Sequence, residues 1–263
     1  MITGNTRLFA ILADPVAQVR TPQVLNEHFA AHGLDAILVP MHVASTDLEE
    51  VLSGLRRMKN LSGFVVTVPH KIAMASLCDE LGPAARAIGS VNTVRRTVDG
   101  RLMGEMFDGA GFVGGLLAQG HDPDGKRVLL LGAGGAASAI AFALSGAGAR
   151  RVTVANRTRA KAETVVEHVR RALPQADIAV GDADPRGYDM VVNATSLGMR
   201  PEDPLPMDVS GLEPRTLVAE IIMKPEVTPL LEAARQRGCT VHYGRHMLDC
   251  QVVLMVRFML DQA

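Results

Sequence analysis

The chain has 263 residues, with 27 Lys and Arg against 28 Asp and Glu, so its formal net charge is −1. Proteins that bind nucleic acids need cationic surfaces and aromatic stacking platforms, and only 3% of these residues are aromatic, so we expect no nucleic-acid partner. The 48% of apolar residues excludes a disordered or fibrous chain.

The cysteines and the N-terminus bear on the cellular compartment. Cys78, Cys239 and Cys250 are widely spaced, which is typical neither of a disulfide framework nor of a zinc site, and we expect no metal. The first residues lack the apolar stretch of a signal peptide, so we expect a cytoplasmic protein. The uncharged segment 128–149 contains a glycine turn after four apolar residues, so it does not predict a membrane span.

Strand and helix patterns alternate along the first hundred residues. Strands are predicted over 8–12, 36–43, 64–68, 91–94 and 101–104, and helices over 21–32, 46–60, 72–80 and 84–88. Thr46 and Glu49 have the spacing of a capping box at the start of the second helix. Asp99-Gly100 is a strong hairpin signal, so the last two strands are expected to pair antiparallel. This region is therefore predicted to be mixed α/β.

The alternation becomes more regular from Asp108 onward. Strands are predicted over 127–131, 152–155, 178–180, 190–193, 217–222 and 240–243, and helices over 108–119, 136–147, 159–173, 229–237 and 247–260. Regular alternation predicts parallel crossovers and a doubly wound sheet. We therefore predict an α/β protein of two domains. The first covers residues 1–105 and is completed by 240–263, and the second covers residues 106–239.

Residues 127–137 read Arg-Val-Leu-Leu-Leu-Gly-Ala-Gly-Gly-Ala-Ala and lie between a predicted strand and a predicted helix. In such a segment Gly132 allows a tight turn, Gly134 lets the backbone approach a pyrophosphate, and Ala137 lets the helix pack closely on the strand. The pyrophosphate is expected on the N-terminal amides of the helix. The segment therefore predicts a dinucleotide cofactor.

The residues after the next strand distinguish between cofactors. Asn156-Arg157-Thr158 stands where an NAD enzyme usually places a carboxylate on the ribose hydroxyls, and Lys161 follows shortly after. A guanidinium can instead form charge-assisted hydrogen bonds to a 2′-phosphate. Positive charge at the start of a helix also opposes the helix dipole unless an anion binds there. We therefore predict NADP rather than NAD.

Two charged residues are candidates for catalysis. Lys71 follows the strand that stops at Pro69, and Asp108 begins the helix that links the predicted domains. Both are expected to border the interdomain cleft, because small-molecule sites tend to lie between domains. A lysine there can polarise a carbonyl, although a lysine such as Lys71, taken alone, is far more often a solvated surface residue. His70 and His246 have no nucleophile or metal-ligand spacing beside them.

Seven short motifs are distributed over the whole chain. They are Thr67-Val-Pro-His-Lys71, Gly89-Ser-Val-Asn-Thr93, Asp108-Gly109, Gly132-Ala-Gly-Gly-Ala136, Asn156-Arg-Thr158, Asn193-Ala-Thr-Ser-Leu-Gly198 and Gln251. In this order they resemble the shikimate dehydrogenase family over nearly the whole length. The resemblance implies an N-terminal mixed α/β substrate domain and a C-terminal NADP-binding Rossmann domain. It also implies interconversion of 3-dehydroshikimate and shikimate in aromatic amino acid biosynthesis, or of a close analogue such as quinate or aminoshikimate.

The same resemblance implies a role for each matching residue. Lys71 would donate the proton to the developing alkoxide, and Asp108 would hold the lysine and a substrate hydroxyl. The substrate-binding positions are Thr21, Thr67, Asn92 and Gln251. The cofactor-binding positions are Gly132, Ala133, Gly134, Gly135, Ala136, Asn156, Arg157, Thr158, Lys161, Thr195, Ile221 and Gly244.

The chain departs from the family on the side of the substrate carboxylate. It has Val19-Arg20-Thr21 where the family places Ser-x-Ser, and Met223 where a tyrosine usually follows the late strand. Loss of one donor to a charged group costs about 1.5–3 kcal/mol. We therefore expect either a substrate that differs on this side or compensation by Arg20, Arg245 or His246.

Two other interpretations stay open from the sequence. A methylenetetrahydrofolate dehydrogenase-like enzyme also pairs a Rossmann unit with a cleft lysine, although few aromatic residues are available here to stack a pterin. A non-catalytic NADP-binding sensor is compatible with the lost donors, but the intact Lys71 and Asp108 disfavour it. The expected ligand is a polyhydroxy cyclohexene carboxylate or an analogue, and the chain is expected to be a monomer or a homodimer.

Overall fold

A computed structural model gives the structure of the chain and describes residues 2–17 and 19–261. Within these residues the chain forms two compact units. The first unit runs to Phe107 and includes the residues from Val252 onward, and the second unit is Asp108–Gln251. No helix in the described ranges combines the length and the apolar character that crossing a bilayer requires.

The first unit is built on a mixed sheet. Its described strands are β1 (Arg7–Ala13), β2 (Ala36–His42), β3 (Leu61–Val66), β4 (Glu80–Leu81), β5 (Thr93–Arg96) and β6 (Leu102–Glu105), in the spatial order β2-β1-β3-β5-β6-β4. Strand β1 is parallel to β2 and β3, whereas β5 is antiparallel to β3 and β6. The predicted mixed sheet and the hairpin at Asp99-Gly100 are therefore confirmed.

The helices of the first unit show where local patterns mislead. They are α1 (Thr21–Ala31), α2 (Leu48–Leu55), α3 (Lys71–Leu77) and α4 (Pro83–Ile88). The predicted capping box is wrong, because Thr46 Oγ1 donates to Asp47 Oδ1 at 2.9 Å and the helix begins only at Leu48. The helix predicted over 72–80 ends early, because Asp79 N donates to the Leu102 carbonyl at 2.9 Å and leads into β4.

The second unit is a doubly wound parallel sheet. Its described strands are β7 (Arg127–Leu131), β8 (Arg151–Ala155), β9 (Ile178–Val180), β10 (Met190–Asn193), β11 (Leu217–Glu220) and β12 (Thr240–His242). Its helices are α5 (Asp108–Ala118), α6 (Gly135–Gly146), α7 (Arg159–Ala172), α8 (Pro229–Gln236) and α9 (Arg245–Leu260), of which α9 starts in this unit. The spatial order β9-β8-β7-β10-β11-β12 is that of a dinucleotide-binding Rossmann sheet. The predicted fold class is confirmed.

The second sheet extends further along the chain than the predicted range of 106–239. Strand β12 pairs in parallel with β11, so residues 240–242 lie in this sheet and not with the first unit. A local pattern identifies a strand but not its partner, which explains the difference.

Both faces of the second sheet are covered, as its continuous apolar strands require. Val128 and Leu130 of β7 pack in one core with residues of α5, α6 and α7, whereas Leu129 and Leu131 pack in another with residues of α8. The strands therefore stay in register, and their carboxyl ends place the loops that follow β7, β8 and β10 along one edge.

Candidate active site

A pocket of about 710 Å³ lies at the carboxyl edge of the second sheet. Among the predicted cofactor residues, Gly132, Ala133, Gly134, Asn156, Arg157, Thr158, Lys161 and Thr195 line it. Gly135 and Ala136 form the first turn of α6 beside this lining, and Ile221 and Gly244 lie outside it. The last two positions are nevertheless neighbours, because a Cβ on Gly244 would collide with the backbone of Ile221 and Ile222.

The turn after β7 forms the middle of the pocket. Gly132 has φ +112°, and a Cβ there would lie 2.7 Å from the Ala194 carbonyl oxygen, so only glycine fits. Gly132 N donates to the Ala155 carbonyl at 2.8 Å, which holds the turn against β8. A Cβ on Gly134 would meet only open space, so the start of α6 has room for a phosphate group.

One end of the pocket is exposed and is lined by two cations and by the carboxylate of Asp182. Asn156 Nδ2 donates to the Thr158 carbonyl at 2.9 Å and shapes the turn into α7. Arg157 and Lys161 line the pocket and are both exposed. Arg159, by contrast, pairs with Glu163 at 3.1 Å outside the lining. This end can therefore hold a phosphate monoester with two cations.

A buried carboxylate, Glu220, lies behind the other end of the pocket and was not predicted from the sequence. Glu220, which is fully buried, accepts hydrogen bonds from Asn193 Nδ2 and Thr228 Oγ1, both at 3.0 Å. Its second oxygen accepts from Ile221 N at 3.0 Å and from Ile222 N at 3.2 Å. Burial raises the pKa of Glu220, and these hydrogen bonds oppose that shift. The sequence feature that could have indicated Glu220 is a carboxylate at the end of the apolar strand β11.

Asn193 connects Glu220 to the loop 194–198 in the wall of the pocket. Its Oδ1 accepts from Thr195 Oγ1 at 2.7 Å and from Thr195 N at 3.1 Å, and its Nδ2 also donates to the Leu197 carbonyl at 3.0 Å. Leu197 N donates in turn to Thr195 Oγ1 at 3.0 Å. The amide of Asn193 is therefore held in one orientation, and the loop 194–198 is held with it.

The first unit holds three of the four predicted substrate-binding residues, Thr21, Thr67 and Asn92, at one edge of its sheet. Strands β1 and β3 are parallel, so Thr21 after β1 and Thr67 and Lys71 after β3 follow strand ends at the same edge. Asn92 is 1% exposed, and its carbonyl accepts from Val66 N at 2.7 Å, which places it beside the end of β3. The prediction that these residues act together is consistent with this placement.

His70 precedes Lys71 and has a structural contact. The His70 ring is buried, and Nε2 lies 2.8 Å from the Val43 carbonyl, to which it donates. This contact fixes the turn from which α3 and Lys71 start. Among the described residues, no group of three His, Cys, Asp or Glu side chains is arranged to hold a metal ion.

In the second unit Asp108 and Gln251 are in direct contact. Gln251 Nε2 donates to Asp108 Oδ1 at 2.6 Å, and Asp108 is 4% exposed. Asp108 is the first residue of α5, where the helix dipole favours a carboxylate. A Cβ on Gly111 would lie 2.8 Å from the Gln251 Cβ, so glycine lets α5 and α9 approach closely enough for this contact.

Two of the side chains that were considered as compensating groups have contacts elsewhere. Arg245 Nη1 pairs with Glu226 Oε1 at 2.6 Å. The His246 ring packs against the His242 ring, with centroids 5.0 Å apart. Met223 is 43% exposed and offers no hydrogen-bond donor.

Comparison with known proteins identifies relatives of both units. Residues 11–94 match the family of shikimate dehydrogenase substrate binding domains, and residues 117–197 match the family described as shikimate / quinate 5-dehydrogenase. The chain is 40% identical over 259 residues to the shikimate dehydrogenase (NADP(+)) of Geobacter metallireducens, a match that covers 95% of this chain and 90% of that protein.

Solved structures with the same fold include enzymes with different named substrates. The 5-ketofructose reductase of Gluconobacter sp. strain CHM43, in its ligand-free form, has a TM-score of 0.90 and 34% identity, and the match covers 99% of this chain and 95% of that one. The shikimate 5-dehydrogenase of Thermus thermophilus, in complex with NADP(H) and shikimate, has a TM-score of 0.88 and 31% identity, with coverages of 97% and 94%.

Proposed function

Because this chain belongs to the shikimate dehydrogenase family, we propose that it is an NADP-dependent oxidoreductase that interconverts 3-dehydroshikimate and shikimate or a close analogue. The observation that carries the proposal is the pocket of the second unit, which joins the Gly132 turn to the exposed Arg157 and Lys161. The family matches disfavour both a folate-type dehydrogenase and a sensor without catalytic activity.

The residues of the pocket fit NADP. Arg157 and Lys161 supply two cations for the 2′-phosphate, and the open space at Gly134 allows a pyrophosphate to reach the backbone amides at the start of α6. When bound, NADPH supplies the hydride for reduction of the substrate ketone. Gly135, Ala136, Ile221 and Gly244 are proposed to support this site from behind its lining.

Lys71 and Asp108 are the proposed catalytic residues. During reduction the Lys71 ammonium gives a proton to the ketone oxygen as the alkoxide develops, and in the reverse reaction the lysine takes it back. The Asp108 carboxylate, held by Gln251, binds a substrate hydroxyl. The Oδ1 of Asn92 accepts from Phe107 N at 3.0 Å, so the amide is oriented with its Nδ2 as donor. Thr21, Thr67, Asn92 and Gln251 are the proposed substrate-binding residues.

The substitution Lys71→Ala tests this assignment. We expect a roughly hundred- to ten-thousandfold fall in kcat, the usual contribution of a general acid, with NADP binding unchanged. The exposed Lys59 in the same unit provides the control, since Lys59→Ala should have wild-type turnover. Wild-type turnover by Lys71→Ala would show that the catalytic assignment is wrong.

The substrate assay measures NADPH formation by absorbance with shikimate, quinate and aminoshikimate, each with NADP and with NAD. Turnover with NADP and one of these substrates supports the proposal. Slow turnover of all three together with firm NADP binding would support the fold and the cofactor while rejecting a cyclohexene carboxylate as substrate.

Val19 and Met223 favour a second candidate, the reduction of a neutral polyhydroxy ketone. Neither side chain can donate a hydrogen bond to a carboxylate, and Arg245 is already paired with Glu226. The similar Gluconobacter protein is a 5-ketofructose reductase. The discriminating assay measures NADPH oxidation with 3-dehydroshikimate and with 5-ketofructose. Preference for the latter would reject the cyclohexene carboxylate.

The cellular setting is proposed from the cysteines. Cys78, Cys239 and Cys250 are free thiols, which supports a reducing compartment and hence the cytoplasm. A monomer or a homodimer stays the expected assembly, and sedimentation at assay concentration distinguishes them.

A further inference from the structure

The strand order assigns the two ends of the pocket to the two halves of a dinucleotide. In a sheet ordered β9-β8-β7-β10-β11-β12, the dinucleotide crosses the sheet where the order reverses, between β7 and β10. The adenosine half lies on the β8 side, where Arg157 and Lys161 stand. The nicotinamide half therefore faces the loop 194–198, which follows β10.

Glu220 lies behind this nicotinamide end and does not line the pocket. Its four hydrogen bonds join the backbone after β11, the start of α8 at Thr228, and Asn193 at the end of β10. Burying a carboxylate is unfavourable even when it is hydrogen-bonded, and an apolar residue of similar size is often at least as stabilising. We therefore attribute to Glu220 the fixed positions of the groups that donate to it, and not a gain in the free energy of unfolding.

Hydrogen bonds run from Glu220 through Asn193 to Thr195, and a close backbone contact joins the same loop to the cofactor turn. Glu220 Oε2 takes one hydrogen of the Asn193 amide, which leaves Oδ1 facing Thr195. The backbone of Ala194 in the same loop is the surface against which Gly132 packs, because the missing Cβ of Gly132 would lie 2.7 Å from the Ala194 oxygen. A change in the Asn193 amide would thus displace both Thr195 and the contact behind Gly132.

We propose that Glu220 is a positioning residue that sets the place of the nicotinamide ring by fixing the loop 194–198 through Asn193. This inference rests on the NADP-dependent activity proposed above. It goes further because it separates recognition of the 2′-phosphate, which the exposed cations supply, from placement of the nicotinamide half, which the buried carboxylate supplies.

The substitution Glu220→Gln tests this role with little change in shape. In either orientation the new NH2 group meets a donor, either the amides of Ile221 and Ile222 or the Asn193 Nδ2. The probes are NADP and adenosine 2′,5′-diphosphate, which lacks the nicotinamide. We expect kcat to fall about tenfold or more and the ratio of the Kd for NADP to the Kd for adenosine 2′,5′-diphosphate to rise about tenfold, the equivalent of one lost hydrogen bond.

If Glu220 only stabilised the fold, Glu220→Gln would lower the fraction of folded protein. The ratio of the two Kd values would stay unchanged, because both ligands bind only folded molecules. Glu213→Gln is the matched control, since Glu213 pairs with Arg215 at 2.8 Å on the surface of the same unit. Its ratio should equal that of the wild type.

Thr228 provides a second variant if Glu220→Gln does not fold. Thr228→Val removes one donor to Glu220, and with it the acceptor of Leu231 N at the start of α8, without touching the pocket lining. It should shift the ratio in the same direction by a few-fold, whereas Thr228→Ser keeps both contacts and should not. An unchanged ratio in folded Glu220→Gln or Thr228→Val overturns the role of Glu220 alone. A wild-type protein that binds no NADP overturns the proposed function and this inference together.

Discussion

The two ends of the cofactor pocket are built from opposite kinds of residue. At the adenosine end Arg157 and Lys161 are exposed, and at the nicotinamide end Glu220 and Asn193 are fully buried. Exposed charges act through solvent, so their contribution changes gradually with charge and salt. A buried and satisfied network keeps one arrangement and fails when a single partner is lost. The exposed end should therefore set which cofactor binds, and the buried end should set where its reactive ring lies.

The largest effect is expected at the turn between the two ends. Gly132→Val places a branched side chain at φ +112° against the Ala194 carbonyl, so both the backbone and the space are unsuitable. We expect NADP affinity to fall by at least about a hundredfold in calorimetric titration, since the turn must move away from the pyrophosphate position.

The control for this variant is Gly146→Ala at the other end of α6, where a Cβ would have its nearest contact at 3.9 Å. It should bind NADP as the wild type does, and circular dichroism should show both variants folded. Wild-type affinity in folded Gly132→Val would mean that this turn does not carry the cofactor.

The same contrast explains what the sequence could predict. The turn at Gly132 and the cations after β8 follow strands immediately in the chain, so spacing alone located them. The Glu220–Asn193 contact joins residues 27 positions apart and was missed, because no local pattern records which strands become neighbours. The sequence pattern also missed β4, which exists only through its pairing with β6. Lys71 was a candidate from its place after β3, but that place alone is more typical of a surface lysine, and the family resemblance supplied its catalytic role.

The second prediction tests the exposed end directly. Arg157→Asp replaces a cation with an anion where the 2′-phosphate is proposed to bind, so the variant loses an attraction and gains a repulsion. We expect NADP affinity to fall about thirty- to hundredfold and NAD affinity to change less than about twofold. Parallel titrations with the two cofactors measure this difference.

Arg159 is the matched control, since it is exposed on the same helix but pairs with Glu163 outside the pocket. Arg159→Asp should leave both affinities near wild type. If Arg157→Asp weakened NADP and NAD equally, the guanidinium would not be reading the 2′-phosphate.

The third prediction concerns pH and the buried side of the sheet. His242 on β12 is 1% exposed and packs against Phe112 and against the rings of His121 and His246. Burial and, to a smaller extent, the neighbouring His246 and His121 together lower the pKa of His242 to about 4. Among the described residues both ring nitrogens of His242 lack a hydrogen-bond partner, so no acceptor stabilises its protonated form.

The sign of the pH effect follows from these pKa values. The unfolded histidine has the ordinary pKa of 6.5, so below that pH the unfolded state binds the proton more tightly than the folded state. Stability should therefore be full above pH 6.5 and fall by about 1–3 kcal/mol as the pH drops to about 4. The charged groups near the histidine cluster are Arg245, Asp249 and Glu226, which act on His246. They are unchanged in all variants.

Urea unfolding at several pH values measures this loss. His242→Phe keeps a ring of similar size and removes the titration, so its stability should lose this component of the pH dependence. His168→Gln on α7, outside the cluster, should keep it. An equal slope in His242→Phe and the wild type between pH 6.5 and 4 would place the acid sensitivity elsewhere.

The smallest effect is expected from Lys161 at the exposed end. An exposed lysine contributes about 0.2–1 kcal/mol, so Lys161→Gln should weaken NADP binding only a few-fold at low salt. In 1 M salt the Debye length is about 3 Å, so the difference from wild type should nearly vanish. Lys126→Gln, an exposed lysine away from the pocket, should show no difference at either salt concentration. The loss that Glu220→Gln causes should persist in 1 M salt, because screening does not reach a buried hydrogen bond. If instead the Lys161 effect were independent of salt and the Glu220 effect were screened, the assignment of affinity to the exposed end and of placement to the buried end would be reversed.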